Sequence, residues 1–215
     1  MADGLTPRAR RIVTAARGVL ESEGADAVTM RRVADELGVR AASLYKHLPD
    51  KAALEAAIIS DGFAEAAAAL EAAVDGAAEP LTAFVDAYRS FVAAHPHVYR
   101  LMTERPLPRE RLPPGLETRT AAPLVRAVGG PERARAAWAF IHGMIMLELN
   151  GRFPTDGVTE AAWRSGIAAF ADGHPAARHG DGPTRTAPGR LPSHRPAARI
   201  GSEPLSATDG RGGAG

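Results

Sequence analysis

VTMRRVADELGVRAASLYKHLPDKAAL, residues 28–54, spells two short helices around a glycine turn and the start of a third. Thr29 is a helix-capping residue, and Arg31 and Arg32 fill the turn that follows it. Val33 and Leu37 lie four apart, on one helical face. Gly38 can adopt the left-handed conformation that ends a helix, with Val39 as a short apolar plug behind it. A second helix is predicted over 41–47, with Leu44 and Leu48 on its buried side. At a hundred degrees per residue, Ala42, Ser43 and Lys46 then face the opposite way. One helix that holds a second, whose outer face stays free, is the arrangement of a helix-turn-helix, and such a free face fits a DNA major groove.

Extended in both directions, these residues resemble the DNA-binding domain of TetR-family transcriptional regulators. The matching pieces are the long first helix ARRIVTAARGVLESEGADAVTM, then RRVADELGV, then SLYKHLPDKAAL. The string Leu44-Tyr45-x-His47, followed by Asp50-Lys51 and Leu54, carries most of the likeness. A second stretch, AWAFIHGMIMLELNGRFP, is similar to one C-terminal ligand-domain subtype of that family. Its marks are Trp138-x-x-x-His142-Gly143 and the closing Glu148-Leu149-Asn150-Gly151. Together the likeness spans about Thr6 to Gly173.

The resemblance implies an all-α repressor that binds double-stranded operator DNA as a homodimer and responds to a small molecule; the alternatives are an activator or ligand-independent regulator on the same fold and, more remotely, an all-α small-molecule-binding or enzymatic protein without DNA binding. It assigns the DNA-facing positions to Thr29, Arg31, Arg40, Ala41, Ala42, Ser43, Tyr45, Lys46, His47 and Lys51. Ser43, Tyr45, His47 and Lys51 match positions that bond phosphates, and the N-terminus of the fourth helix adds partial positive charge beside Lys51. Ala41 and Ala42 cannot hydrogen-bond a base edge; they can only touch a thymine methyl or allow close approach. Sequence readout therefore rests on Arg31, Arg40, Ser43, Lys46 and DNA shape. The plainer alternative for these side chains is a solvated surface, with packing for Tyr45.

Composition sets the outer bounds. The 215 residues are 45% hydrophobic and 24% charged, with no cysteine and a net charge of +1. That is an ordinary globular balance without disulfide or thiolate chemistry. A net charge so near zero hides local clusters: Arg8, Arg10, Arg11 and Arg17, then Arg31, Arg32, Arg40, Lys46 and Lys51. Glu21, Glu23, Asp35 and Glu36 offset them, so any basic patch is one face. No apolar run reaches the ~18 residues of a membrane span, and MADGLTPRARR lacks a hydrophobic signal core; a cytoplasmic location is the expectation. Neither a glycine-rich phosphate loop nor GxSxG is present, so no enzyme is expected and no cofactor is implied. His95, His97 and Glu104 fit no helix-borne metal motif, and no metal site is assigned.

Beyond the reading head, further helices are predicted from about 7 to 23, 50 to 74, 80 to 94, 96 to 103, 116 to 128, 131 to 150 and 159 to 171, and no strand. The domains are expected at 1–52 for DNA binding and 53–173 for ligand binding and dimerisation. Residues 174–215 form a tail rich in proline, glycine and arginine that is expected to be disordered. In the second domain, Phe84, Tyr88, Phe91, Met102, Trp138 and His142 are the expected walls of a pocket for a largely apolar effector. For His142, a core histidine bonded within the fold competes with a ligand contact. Gly143 is expected to allow close helix packing. Ile141, Ile145, Leu149, Trp163, Ile167 and Phe170 recur at helical spacing, and are the expected dimer interface of two helices per subunit.

Overall fold

The computed structural model describes residues 5–171; the predicted tail lies outside the described residues. Within them the chain forms nine α-helices and no strand: α1 Pro7–Glu23, α2 Met30–Glu36, α3 Ala41–Leu44, α4 Lys51–Val74, α5 Pro80–Ala94, α6 Pro96–Thr103, α7 Leu116–Val128, α8 Pro131–Leu149 and α9 Val158–Ala171. The all-α expectation holds.

The helix starts follow from local chemistry. Thr6 accepts from the Ala9 N–H, Thr29 from the Arg32 N–H, and Asp50 from the Ala53 N–H at 2.6 Å. Each satisfies a donor that the first turn leaves unpaired. Pro7, Pro80, Pro96 and Pro131 occupy first helical positions, where a missing N–H costs nothing. Gly38 turns between α2 and α3 at φ 65°, and the Val39 N–H closes that turn on the Ala34 carbonyl.

α3 departs from expectation. It is a single α-turn, and the chain then tightens through Tyr45, Lys46 and His47, with the Leu44 carbonyl accepting from both His47 and Leu48. Leu44 and Leu48 still reach the core.

One continuous core runs from Ile12 in α1 to Trp163 in α9. α4 is its axis, buried along its length from Leu54 through Ile58, Ile59 and Ala66 to Leu70 and Val74. It packs against α1, α5, α6 and α7. At Gly62 a Cβ would come within 2.7 Å of Val98 Cγ1 and 2.8 Å of Met102 Sδ, so the bare glycine sets how closely α6 lies on α4. Polar contacts reinforce this crossing. Glu21 of α1 accepts from the N–H groups of His97 and Val98 at the start of α6, and Glu65 of α4 pairs with Arg17 and His95.

Two expectations about α8 and α9 need correction. Ile141, Ile145 and Trp163 are 1–2% exposed within the subunit, so they build its own core and not an outer face. Only Leu149, Ile167 and Phe170 of that group remain half-buried. The cause is that α8 is apolar almost all round, and α5 and α7 cover one side of it. Gly143 has nothing within 4 Å of a built Cβ, so it serves no close packing inside the subunit; Gly166 does, because a Cβ there would collide with the Phe140 ring.

Phe140 is wedged edge-on against Trp163 and also packs on Phe170, so it cannot swing away freely. Gly166→Ala should destabilise the fold by roughly 1–3 kcal/mol through overpacking. Gly18→Ala, in an open stretch of α1, should instead stabilise by about 0.5–1 kcal/mol from helix propensity. Urea unfolding of the two variants checks the pair, and equal effects at both sites would refute the packing account.

Candidate nucleic-acid interface and C-terminal site

α2 and α3 hold the predicted DNA-facing residues in place through their backs. Met30, Val33 and Ala34 of α2, with Leu44 and Leu48, bury against Ile12, Ala16, Val19 and Leu20 of α1. The residues left outside are Thr29, Arg31, Arg40, Ala42, Tyr45, Lys46 and His47, all exposed. Tyr45 is 51% exposed, a large aromatic facing water rather than the core. Ser43 is half-buried and its hydroxyl donates to the Arg40 carbonyl at 2.7 Å, so it donates to a phosphate only after leaving that carbonyl. Ala41 is also half-buried and packs on the core, so it offers less surface than expected. Lys51 stands in the first turn of α4, 3.6 Å from Glu55.

Arg31 and Arg32 diverge in environment. Arg32 is held by Glu23 at 2.7 Å and by Glu36 at 2.9 Å, and those bonds raise its pKa above the ordinary value. Among the described residues no ion pair holds Arg31, Arg40 or Lys46. A cation without an internal partner is available to a phosphate or a base edge.

The C-terminal side chains form a second cluster. Tyr99 of α6, not singled out from the sequence, hydrogen-bonds His142 Nδ1 at 2.6 Å. Tyr88 meets Tyr99 edge-on at 5.8 Å, and Trp138 stacks on His142 at 5.3 Å. Burial raises the pKa of both tyrosines, so they stay protonated, and burial lowers that of His142. Phe84, Tyr88, Phe91 and Met102 are buried, whereas Trp138 is 44% exposed. The sequence alone carried no sign of the Tyr99–His142 bond, which joins residues 43 apart.

A groove of about 610 Å³ opens elsewhere, between α5 and α8. Asp86, Arg89, Ser90, Ile145, Glu148 and Leu149 line it, and none of the six expected pocket residues does. Arg89 bridges Glu148 at 2.9 Å and Glu160 at 2.6 Å, and its guanidinium lies 4.9 Å from the Trp163 ring centre. The Trp163 indole N–H donates to Glu148. Glu148 thus joins α5, α8 and α9. No helix among the described residues is long and apolar enough to cross a membrane, and no cluster of metal-ligating side chains occurs among them.

The exposed face on α2 and α3, braced by α1 and flanked by the start of α4, defines a helix-turn-helix DNA-binding module on a helical second half. The family description "Bacterial regulatory proteins, tetR family" matches residues 12–58, and "Tetracyclin repressor-like, C-terminal domain" matches residues 81–170. A helix-turn-helix-type transcriptional regulator of Mycobacterium tuberculosis is 30% identical over 151 residues, which cover 65% of this chain and 69% of that protein. A solved structure from Rhodococcus sp. RHA1, described as a protein with unknown function, shares 28% identity at TM-score 0.61, covering 80% of this chain and 99% of that one. The structure of BioQ with its double-stranded DNA operator shares the fold, with TM-score 0.51 and 18% identity over 76% of this chain and 97% of that one. The chain belongs to the TetR family of DNA-binding transcriptional regulators.

The His142 environment predicts a pH dependence. Its folded pKa lies below the unfolded value of about 6.5, so the unfolded chain takes up this proton first. Stability is therefore present above about pH 6.5 and is lost as pH falls through the lower folded value. His142→Asn keeps a neutral partner for Tyr99 and should flatten the fall in urea midpoint below about pH 6.5. An unchanged slope would mean that His142 titrates as it does in the unfolded chain.

Proposed function

We propose that the protein is a ligand-responsive repressor that binds a near-palindromic operator as a homodimer. The observation that carries the DNA half of this reading is the outward face of α2 and α3. Arg31, Arg40, Ser43, Tyr45, Lys46 and His47 stand there opposite the buried Leu44 and Leu48. Arg31, Arg40 and Lys46 read base edges or phosphates, Thr29, Ser43, Tyr45 and His47 bond phosphates, and Ala41 and Ala42 let the backbone come close. Lys51 and the start of α4 complete the grip. The division into a reading head of residues 1–52 and a second domain of 53–173 is part of the same proposal, with α4 as the shared rod.

A dimer through α8 and α9 is supported by their outer faces. Trp138 and Leu147 are exposed large hydrophobics, and Ala139, Gly143, Ala161, Ser165 and Ala168 offer small side chains at helical spacing. Helices bearing small residues approach closely, and a two-fold pair of them makes a four-helix interface. Leu149, Ile167 and Phe170 lie half-buried and lend their remaining surface to the same contact. An apolar effector with one polar group suits the cluster of Trp138, His142, Tyr99 and Tyr88, whose flat indole and hydrogen-bonded hydroxyls meet at α8. The Trp138-x-x-x-His142-Gly143 pattern fits a ligand-domain subtype in that sense. Effector binding lowers operator affinity, and operator lowers effector affinity by the same factor. An activator or a ligand-independent regulator on the same fold is the second reading, favoured by the core position of Phe84, Tyr88, Phe91 and Met102.

Fluorescence anisotropy on a duplex selected from a random-sequence pool tests the DNA half. Affinity should fall steeply with salt, because each neutralised phosphate releases counterions. Lys51→Ala should weaken all duplexes alike and reduce the salt slope by about one unit. Arg31→Ala and Arg40→Ala should each cost roughly 1–3 kcal/mol where a bidentate base contact is lost, and should relax preference at one position. If neither arginine variant changes affinity or preference, the assigned recognition face is wrong.

A further inference from the structure

Two acids stand where α4 begins, beside the residues that would meet DNA. Asp50 is the N-cap and Glu55 lies just over one turn further along. With Lys51 between them, the three side chains sum to one negative charge. Such a cluster repels any phosphate within the screening length of about 10 Å at 0.1 M salt. Two arginines from a distant segment reverse this sign. Arg111 Nη1 donates to Asp50 Oδ1 at 3.0 Å, on the same oxygen that accepts the Ala53 N–H. Arg105 Nη1 lies 3.7 Å from Glu55 Oε1, a buried oxygen without a hydrogen bond that Lys51 Nζ approaches to 3.6 Å.

Both arginines sit in the connection between α6 and α7, residues 104–115, which the reading-head family description does not cover. That connection carries Pro106, Pro108, Pro113 and Pro114, and proline lowers the entropy cost of holding a loop in one shape. Leu107 and Leu112 anchor it on the core. The Ala53 N–H, then the Arg111 guanidinium, hold the Asp50 carboxyl below its ordinary pKa, so it is charged at neutral pH.

We propose that the loop of residues 104–115 completes the DNA-binding face: Arg111 and Arg105 are positioning residues that neutralise Asp50 and Glu55. With both in place the cluster carries one positive charge, Lys51 is released from serving Glu55 alone, and the α4 N-terminus is open to a phosphate. The inference rests on the reading of the α4 start as part of the DNA face.

A double-mutant cycle on the full chain tests it, with Arg111→Ala, Asp50→Asn and both together. The probe is the duplex that the wild-type protein selects from a random-sequence pool, with an unrelated duplex alongside. Asparagine caps a helix as well as aspartate does, so Asp50→Asn keeps the fold while removing the charge. Arg111→Ala should weaken both duplexes by the same factor, about threefold or more at 0.1 M salt. In the Asp50→Asn background the same change should have almost no effect. Thermal melting of all four proteins should stay close together. An equal loss in both backgrounds overturns the proposal in favour of a direct Arg111–phosphate contact. No loss in either background, or a loss that only tracks melting temperature, also overturns it. Arg105→Ala with Glu55→Gln repeats the cycle one turn along. Failure of the wild-type protein to select any duplex defeats the parent reading, and this inference with it.

Discussion

α4 carries buried side chains along its whole length, from Leu54 to Val74, and a helix so placed is stable only when other helices pack on it. α1, α5, α6 and α7 all pack against it, and α1 reaches as far along it as Glu65. The contact with α6 depends on Gly62, where Val98 and Met102 occupy the space a Cβ would fill. Replacing this glycine would force the two helices apart. Because α4 starts in the DNA-facing region and ends deep in the second half, its seating fixes both halves at once. The Glu21 cap on α6 and the Glu65 pairs with Arg17 and His95 gather at the same crossing. A shift of α6 therefore cannot occur without disturbing α1 or α4. That mechanical link is what a ligand-driven change in DNA affinity requires.

The two ends of this rod differ in chemistry. The reading head holds its cations outward by contrast within one sequence pair: Arg32 is tied down by Glu23 and Glu36, while its neighbour Arg31 has no such partner among the described residues. The second half instead ties its polar groups together between helices. Tyr99, His142 and Tyr88 pass hydrogen-bonding groups through an aromatic cluster, and Arg89 ties α5 to α8 and α9 through Glu148, Glu160 and the Trp163 ring. Polar groups paired across helices favour one arrangement of the core.

Much of the fold was legible because helix boundaries are local. Thr6-Pro7, Thr29, Asp50, Pro80, Pro96 and Pro131 announce starts within a few residues of themselves, and all six helices begin there. The family likeness extended that reading to the side chains proposed to face DNA. What escaped was set by distant partners. The Asp50–Arg111 bond spans 61 residues and Tyr99–His142 spans 43, and no short-range pattern encodes either. Ile141, Ile145 and Trp163 looked like surplus apolar surface because periodicity shows that a face is apolar but not which neighbour covers it. Gly143 and Gly166 look alike in sequence, yet only the second is pressed by a ring. The α-helix of α3 ends at Leu44, short of the expected 47, and no local signal in the sequence marks that end.

The central claim is that DNA is gripped by the outer face of α2 and α3 together with the start of α4, on a rod that also organises the second half. Hydrogen–deuterium exchange of the full chain, with and without its selected duplex, tests this directly. The account predicts slowed exchange on DNA binding over residues 29–53 and over the 104–115 connection. The outer face of α8, around Ala139 to Leu147, should be unchanged by DNA. Protection confined to α5, α8 or α9, with residues 29–53 exchanging as in the free protein, would contradict it.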